Sequence, residues 1–426
     1  MKEIFKQLIG EFINKDLSFV KERSLTINPG IRKVISIIGA RRTGKTYYLF
    51  QLINALRKEH SREKMVYINF EDDRLFPCNL EDLEDFMDAY YEMYPEMKKT
   101  EAYFFFDEIQ NVKNWEKFIR RIYDSENCRI FISGSSSKYL SKEIATSLRG
   151  RSVGYELFPL SFKEYISFRH INEDYYVSYN RSRIKNALTR YIGYSSMPEL
   201  VNADEDEVRK ILKNYLDLVI YKDLLERYGL KNIYLIKYLL KFLIINSGNL
   251  FSHNKLYNDF KSQGLNIARE SVYDYMEHIK DAYIAFTIPI FSDNIREINR
   301  NPQKTYFMDT GFKNIISIQK DKGRAIETVV FLELRRKHEE IFYFKKEREV
   351  DFCFYEKNKL KLINVSIDLR DKKTKEREVN SLFEAMKYFN VKNSDIINLE
   401  SEEIVNLGKK KIEIMPLWKW LLKKKQ

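Results

Sequence analysis

Gly39-Ala40-Arg41-Arg42-Thr43-Gly44-Lys45-Thr46 sets two glycines, a lysine and a hydroxyl at the spacing of a phosphate cradle. The apolar run from Val34 to Ile38 precedes it directly and an amphipathic stretch begins at Tyr47, so the loop is expected to join a buried strand to a helix. Glycines in such a turn let backbone N–H groups converge on an anion where the helix dipole already favours one. Lys45 would reach the terminal phosphates and Thr46 would ligate Mg²⁺, which makes ATP with Mg²⁺ the expected ligand.

Hydrolysis needs further groups, and the next candidates lie in the run Ala102-Tyr103-Phe104-Phe105-Phe106-Asp107-Glu108-Ile109-Gln110. Aromatic residues fill a strand that must be buried on both faces, and two carboxylates stand where it should end, the form of a Walker B element. Asp107 would hold the Mg²⁺ shell, while Glu108 would orient or deprotonate the attacking water. A third strand, Cys128 to Ser133, ends in Gly134-Ser135-Ser136-Ser137. A hydroxyl there could sense the γ-phosphate, with Ser135 the first choice and Ser133 the second; the same run also reads as an ordinary strand-to-helix turn with an N-cap. Then follows Leu148-Arg149-Gly150-Arg151. Arg151, or failing that Arg149, would neutralise transition-state charge in its own or a neighbouring subunit, which would require a homo-oligomer; a surface arginine paired with local acids is the alternative.

The elements that must hold these groups repeat as strand and helix. A helix over roughly residues 1 to 30 with its connector, a buried strand at Lys64 to Phe70, a helix from Leu80 to about Tyr94 and another from Asn111 to Tyr123 complete the pattern. Such alternation predicts an α/β fold with an open parallel sheet and ligands at the carboxyl ends of its strands.

The chain has 426 residues, more than one typical core, and the length prior points to about three domains. A formal charge of +12 leans toward a polyanionic partner, although a surface rich in Lys and Glu accounts for it equally well. Cys78, Cys128 and Cys353 are far apart and odd in number, which argues against a disulfide framework or a Cys-rich zinc site and for a reducing, cytoplasmic setting. No long uncharged apolar run suggests a membrane span, and acids interrupt the apolar N-terminal stretch, unlike a signal peptide.

Taken together, GARRTGKT, FFFDEIQ, ISGSSSKYL, SLRGR and ELFPLSFKEY resemble the archaeal and bacterial AAA+-like P-loop ATPases that carry a C-terminal domain with a restriction-endonuclease-like fold. The resemblance implies an ATPase core over residues 1–165, a helical lid over 166–250 and a restriction-endonuclease-like domain over 301–426. Between them, the spacing over residues 251–300 suggests a winged-helix-like unit, with helices at about 254–260 and 268–281 around a turn at Gly264. Arg269, Ser271, Tyr273 and Lys280 are then the candidates for contact with double-stranded DNA, with a plain helical packing module as the alternative. Residues 192–199, IGYSSMPE, resemble a Gly-Gly-x-Pro-Glu turn of the family, with Ser195 and Ser196 departing from it.

Nucleases of the C-terminal fold bind Mg²⁺ through an acid on the first helix, an Asp and a Glu-x-Lys on the next strand. Glu327 and Asp351 match, but Asn364-Val365-Ser366 stands where Glu-x-Lys would be. An amide is a poor ligand for a hard cation and serine cannot supply the lysine's charge, so nuclease activity is not expected. The basic tail with Trp418 and Trp420 could contact phosphates or stack on bases, or be a solvated terminus. The leading functional expectation is an ATP-hydrolysing, DNA-associated motor or switch. A nucleotide-gated protein-interaction module and an ATP-dependent nuclease are the alternatives.

Overall fold

The computed structural model describes residues 1–28, 30–134, 148–265, 267–317 and 322–423. The chain divides into two compact units: Met1–Phe158 with Asp281–Tyr283, and Pro159–Lys280 with Ile284–Gln426.

The first unit is built on a five-stranded sheet of β1 (Val34–Ile38), β2 (Met65–Asn69), β3 (Ala102–Asp107), β4 (Cys128–Gly134) and β5 (Ser152–Glu156). The strands run in the order β2-β3-β4-β1-β5 and every pairing is parallel. All residues of β1 and of β3 are buried, as their unbroken apolar runs require. The alternation of side chains along β3 divides the work. Phe105 stacks on Phe131 of β4 at 4.5 Å and joins the cluster made with Tyr48, Leu49 and Ile53 of the helix Lys45–Leu56. Phe104 and Phe106 turn the other way, onto Phe86 of the helix Asp82–Met93, and Phe106 also meets Phe118 of the helix Trp115–Ser125. Helices therefore cover both faces. Because the strands are parallel, Gly39, Asp107 and Gly134 are brought to one edge of the sheet.

The second unit begins with helices. Phe162–Phe168 opens on a capping box in which Ser161 accepts from the Glu164 N–H and Glu164 accepts from the Ser161 N–H. Ser178–Gly193, Glu205–Leu218 and Ile233–Ile245 follow, the second continuing into the π-helix Val219–Glu226. Next, β6 (Leu250–Phe251), the helices His253–Ser262 and Arg269–Asp281, β7 (Ala285–Ile288) and β8 (Gln303–Phe307) form a small unit. Gly264, at φ +74°, makes the turn between its helices. Its antiparallel sheet has the order β6-β8-β7, so β8 is central. The sequence placed the start of the last domain at residue 301, yet that boundary falls between two hydrogen-bonded strands. Lys304 to Phe307 are all buried there, and pairing with Ala285–Ile288 satisfies their backbone.

A six-stranded mixed sheet completes the unit: β9 (Phe342–Lys345), β10 (Glu349–Glu356), β11 (Lys359–Val365), β12 (Asn393–Asn398), β13 (Glu403–Leu407) and β14 (Lys410–Pro416), in the order β13-β14-β12-β11-β10-β9. The helix Lys372–Tyr388 makes the crossover from β11 to its parallel neighbour β12 and buries Leu382 and Met386 against Ile396, Ile412 and Ile414. The tail is not a frayed terminus up to Leu422. Leu417–Leu422 is helical, and Trp418 is buried with its ring 5.3 Å from Tyr175, so it offers no face for base stacking.

The turn with Ser195 and Ser196, which departs from the family pattern, meets the residues just after β8 in this unit. The buried Asp309 carboxylate accepts from the Ser196 N–H at 2.6 Å, from the hydroxyls of Ser195 at 3.2 Å and of Ser196, and from the Gly311 N–H at 2.8 Å. Gly311 is required, since a Cβ there would lie 1.6 Å from the Tyr194 carbonyl oxygen.

Candidate nucleotide and metal site

The loop between β1 and the helix Lys45–Leu56 owes its shape to its glycines. Gly39 has φ +150°, and a Cβ on it would lie 2.3 Å from the carbonyl oxygen of Leu157, whose N–H bonds back to Ile38 at 2.7 Å. Gly44 caps the helix in the left-handed region at φ 94°. Lys45 is buried and donates to the carbonyls of Gly39 at 3.1 Å and Ala40 at 2.9 Å, while the Thr43 hydroxyl donates to Ala40 at 2.9 Å. These bonds fold the loop around the lysine and leave the N-terminal amides of the helix at its mouth. Arg42 adopts φ 66°, and Arg41 lies 3.6 Å from Glu71, just after β2.

Asp107 is the last residue of β3 and is 1% exposed. Three hydroxyls donate to it: Thr46 at 2.6 Å and Tyr67 at 2.8 Å, both to Oδ2, and Ser133 to Oδ1. Burial, and then the neighbouring charge of Glu108, pushes the Asp107 carboxyl above its ordinary pKa; the hydroxyl bonds pull the other way. Burial and then the Asp107 charge raise the Tyr67 phenol, which stays a protonated donor. Glu71 is likewise pushed up by burial and then by Glu108, against the pull of Arg41. Glu108 follows in the left-handed region at φ 52°, its N–H directed to the Ser133 hydroxyl at 3.4 Å and its carboxylate accepting from Gln110. A strand-end Asp on a helix-turn Thr offers hard oxygen ligands on adjacent groups. The residues present therefore fit Mg²⁺ held between Thr46, Asp107 and a nucleotide's phosphates.

Gly39 to Thr46, Asp107, Glu108 and Ser133 thus share one edge of the sheet. Ser135 lies outside the described residues; Ser133, the second choice, is one of the three hydroxyls that donate to Asp107. The arginines do not join their own chain's site. Arg151 pairs with Asp124 at 3.0 and 3.2 Å, and its carbonyl accepts from Val34 at the opposite end of β1. Five residue steps of extended strand, about 16 Å, separate Val34 from Gly39 at the start of the phosphate loop. Arg149, at φ 48°, belongs to the same turn before β5. A parallel β5 beside β1 puts Arg149 and Arg151, in the turn that leads into β5, at the end of the sheet away from the loop.

Two residues escaped the sequence reading. Tyr67 is a hydroxyl-bearing residue between Val66 and Ile68 of β2, a signal that could have been followed. Arg23 carried none. Its buried guanidinium donates to the Thr43 carbonyl at 2.7 Å and the Phe158 carbonyl at 2.8 Å, while Gln51 brackets its backbone with bonds of 2.7 and 3.1 Å. It pins the phosphate loop to the strand beside it.

The proposed DNA-facing helix Arg269–Asp281 has a different character. Arg269, Glu270, Tyr273, Asp274 and Glu277 are its exposed residues, and Lys280 is paired with Glu277. Arg269 donates to Asn254, and Tyr273 stacks on His253 at 4.2 Å. Ser271 is half-buried. Residues 251–300 hold six Lys and Arg against seven Asp and Glu, whereas 301–426 hold 28 against 20. Excess positive charge lies in the C-terminal stretch, and the exposed acids of the helix would repel phosphates. Among the described residues no group of three or more His, Cys, Asp or Glu is arranged to hold a metal ion, and no helix is long and apolar enough to cross a membrane.

Comparison with known proteins agrees with the first unit. An AAA domain matches residues 31–166, and a domain of unknown function, DUF8612, matches residues 185–322. The uncharacterized protein MJ1544 of Methanocaldococcus jannaschii is 38% identical over 438 residues, covering 98% of this chain and 96% of that protein. An uncharacterized protein of Haemophilus influenzae is 28% identical over 343 residues, 79% of this chain and 82% of its own. Among solved structures, the Aeropyrum pernix ORC1 protein in complex with DNA aligns with a TM-score of 0.31 at 11% identity, covering 74% of this chain and 91% of that one.

Proposed function

We propose, for a chain that belongs to the same family as MJ1544 of Methanocaldococcus jannaschii and carries an AAA domain of the P-loop ATPase type, that it is a Mg²⁺-dependent ATPase working as a molecular switch. The observation that carries the reading is the 2.6 Å bond from Thr46 to Asp107 with Glu108 next in the chain. It joins a phosphate loop, a metal-binding carboxylate and a candidate base at one strand edge. In this reading the loop amides and Lys45 hold the phosphates, Thr46 and Asp107 hold the metal, and Glu108 directs the attacking water. Ser133 and Tyr67 orient Asp107, and Arg23 keeps the loop in register. Bound Mg²⁺ supplies charge neutralisation on the phosphate oxygens.

The test is ATP turnover by the full chain. Lys45→Ala should lose it, and Glu108→Gln should lose turnover while still binding ATP. Unchanged turnover in both would remove the assignment. Arg151 and Arg149 remain candidates only for a neighbouring subunit's site. Mixing Glu108→Gln with Arg151→Ala protomers should restore activity if such a site is shared, and no recovery counts against an oligomeric finger.

The partner reading we favour is DNA, contacted through residues 301–426, where most of the excess of basic residues lies. The six-stranded sheet with Glu327 and Asp351 near Asn364 supports reading this stretch as a restriction-endonuclease-like domain without nuclease chemistry, after a helical lid and a winged-helix-like unit. A second reading, a nucleotide-gated protein-interaction module, is favoured by the acidic exposed face of Arg269–Asp281. A gel shift that weakens steeply with salt supports DNA; no shift at low salt, with or without ATP, moves the assignment to the interaction module.

A further inference from the structure

Lys304 lies in the central strand of the small sheet, with its side chain 3% exposed. Its ammonium is 2.8 Å from Asp351 Oδ1, 2.9 Å from Glu349 Oε1 and 3.0 Å from Glu327 Oε1. An ammonium has three N–H donors, and here each has its own carboxylate. The acids come from two other elements: Glu327 from the helix Lys322–Arg335, and Glu349 and Asp351 from β10. Other oxygen sites of these carboxylates are also engaged. Tyr306 donates at 2.8 Å to the same Glu327 Oε1 that Lys304 contacts, while the second oxygens of the other two acids are met by the Val365 N–H, 2.8 Å from Asp351 Oδ2, and by Lys345, 3.4 Å from Glu349 Oε2. Asn364, in place of a possible fourth acid, accepts from the Asp351 N–H at 3.2 Å and donates to Glu378 at 2.9 Å.

We infer that Lys304 is the resident cation of this carboxylate cluster: its ammonium fills the centre that a divalent metal would need, and so fastens β8 to the helix and sheet that follow. Hard divalent cations bind carboxylate oxygens at about 2.0–2.6 Å and need six or more ligands. Three oxygens at N–H···O separations around one nitrogen leave no such space. Burial opposes the charge on Lys304, but Asp351 foremost, with Tyr306, Glu327 and Glu349, holds its pKa well above that of an ordinary lysine. The ammonium therefore stays charged and does not vacate the cluster by losing its proton.

The inference is independent of the ATP site and is tested on the full chain without nucleotide, with Mn²⁺ as the probe, read by electron paramagnetic resonance and thermal melting. Wild type should show no Mn²⁺ binding that Asp351→Asn removes. Lys304→Ala should melt lower, bind Mn²⁺ at least tenfold more tightly than wild type and regain melting temperature as Mn²⁺ is added. Combining it with Asp351→Asn should abolish that recovery. A wild-type Mn²⁺ site lost in Asp351→Asn overturns the inference, as does wild-type plasmid cleavage with Mn²⁺ that disappears in Lys304→Met. So does a Lys304→Ala protein as stable as wild type that gains no Mn²⁺. Should Lys304→Ala not accumulate in folded form, the wild-type titration and cleavage assays decide.

Discussion

Asp107 and Asp351 are both carboxylates on sheet strands of this chain, and the groups that face them differ. Asp107 receives neutral hydroxyls from Thr46, Tyr67 and Ser133, which orient its charge without cancelling it. Asp351, with Glu327 and Glu349, shares a buried ammonium that cancels part of the charge where it stands. Hydroxyls can give way to, or share a carboxylate with, an incoming cation. An ammonium competes with it. The first arrangement suits reversible metal and nucleotide chemistry, and the second suits permanent structure.

The contrast can be broken most decisively at Glu108. Its replacement by Gln should lower kcat by about 10²–10³-fold with ATP affinity retained, a loss of the size seen when a group acting on developing charge is removed. A kcat within threefold of wild type, measured under saturating ATP, would take the chemistry away from this edge of the sheet. Next in size, Lys304→Met should cost about 3–5 kcal/mol of stability in urea unfolding, because it strands buried carboxylates without their partner. ATP binding by the protein that remains folded should not change. A loss below about 1 kcal/mol would mean the ammonium is an ordinary surface-like pair.

Tyr67→Phe should sharpen the other side. Removing one neutral donor from a charged acceptor costs about 1.5 kcal/mol, or roughly tenfold in turnover or Mg²⁺-ATP affinity, with little change in melting temperature. Equal losses of activity and stability would instead make Tyr67 a packing residue. The last test concerns pH. Burial, and then Asp351, pushes Glu327 up to about 7 from an ordinary 4.5. The folded state therefore binds this proton more tightly than the unfolded chain. Its contribution to stability is fully present below about 4.5 and is lost as pH rises through about 7. Subtracting the pH–stability curve of Glu327→Gln from that of wild type should expose that decline, and a flat difference would remove the shift.

Much of the phosphate site was legible because its residues are neighbours in the chain: Gly39 to Thr46 form one loop, and Asp107 and Glu108 one strand end. The aromatic run before Asp107 also announced a doubly covered strand. Tyr67 and Ser133 reach Asp107 only through the sheet, where Asn69 lies opposite Asp107 and Phe106 opposite Ile132, and no local pattern states that register. The end of the sheet at which Arg151 stands was not legible for a related reason. Proximity to the last core strand in sequence says nothing about which end of a parallel sheet a residue occupies. In the C-terminal stretch Glu327, Asp351 and Asn364 were visible as a pattern of types, but the cation that Glu327, Glu349 and Asp351 surround arrives on β8, some twenty residues before the first of them, and no local pattern pointed to it.

Ser195 and Ser196 bond to Asp309 across 114 and 113 residues of chain. During synthesis the serines leave the ribosome long before their acceptor does, and at about 5–20 residues per second the wait is of the order of ten seconds. Until Asp309 arrives, the turn at Tyr194 to Met197 has no anion to organise it. Closing so large a loop also carries an entropy cost that only the finished contacts offset. The helices of residues 159–250 are therefore expected to gain their final packing after translation has passed Gly311, with this clasp among the late steps of folding.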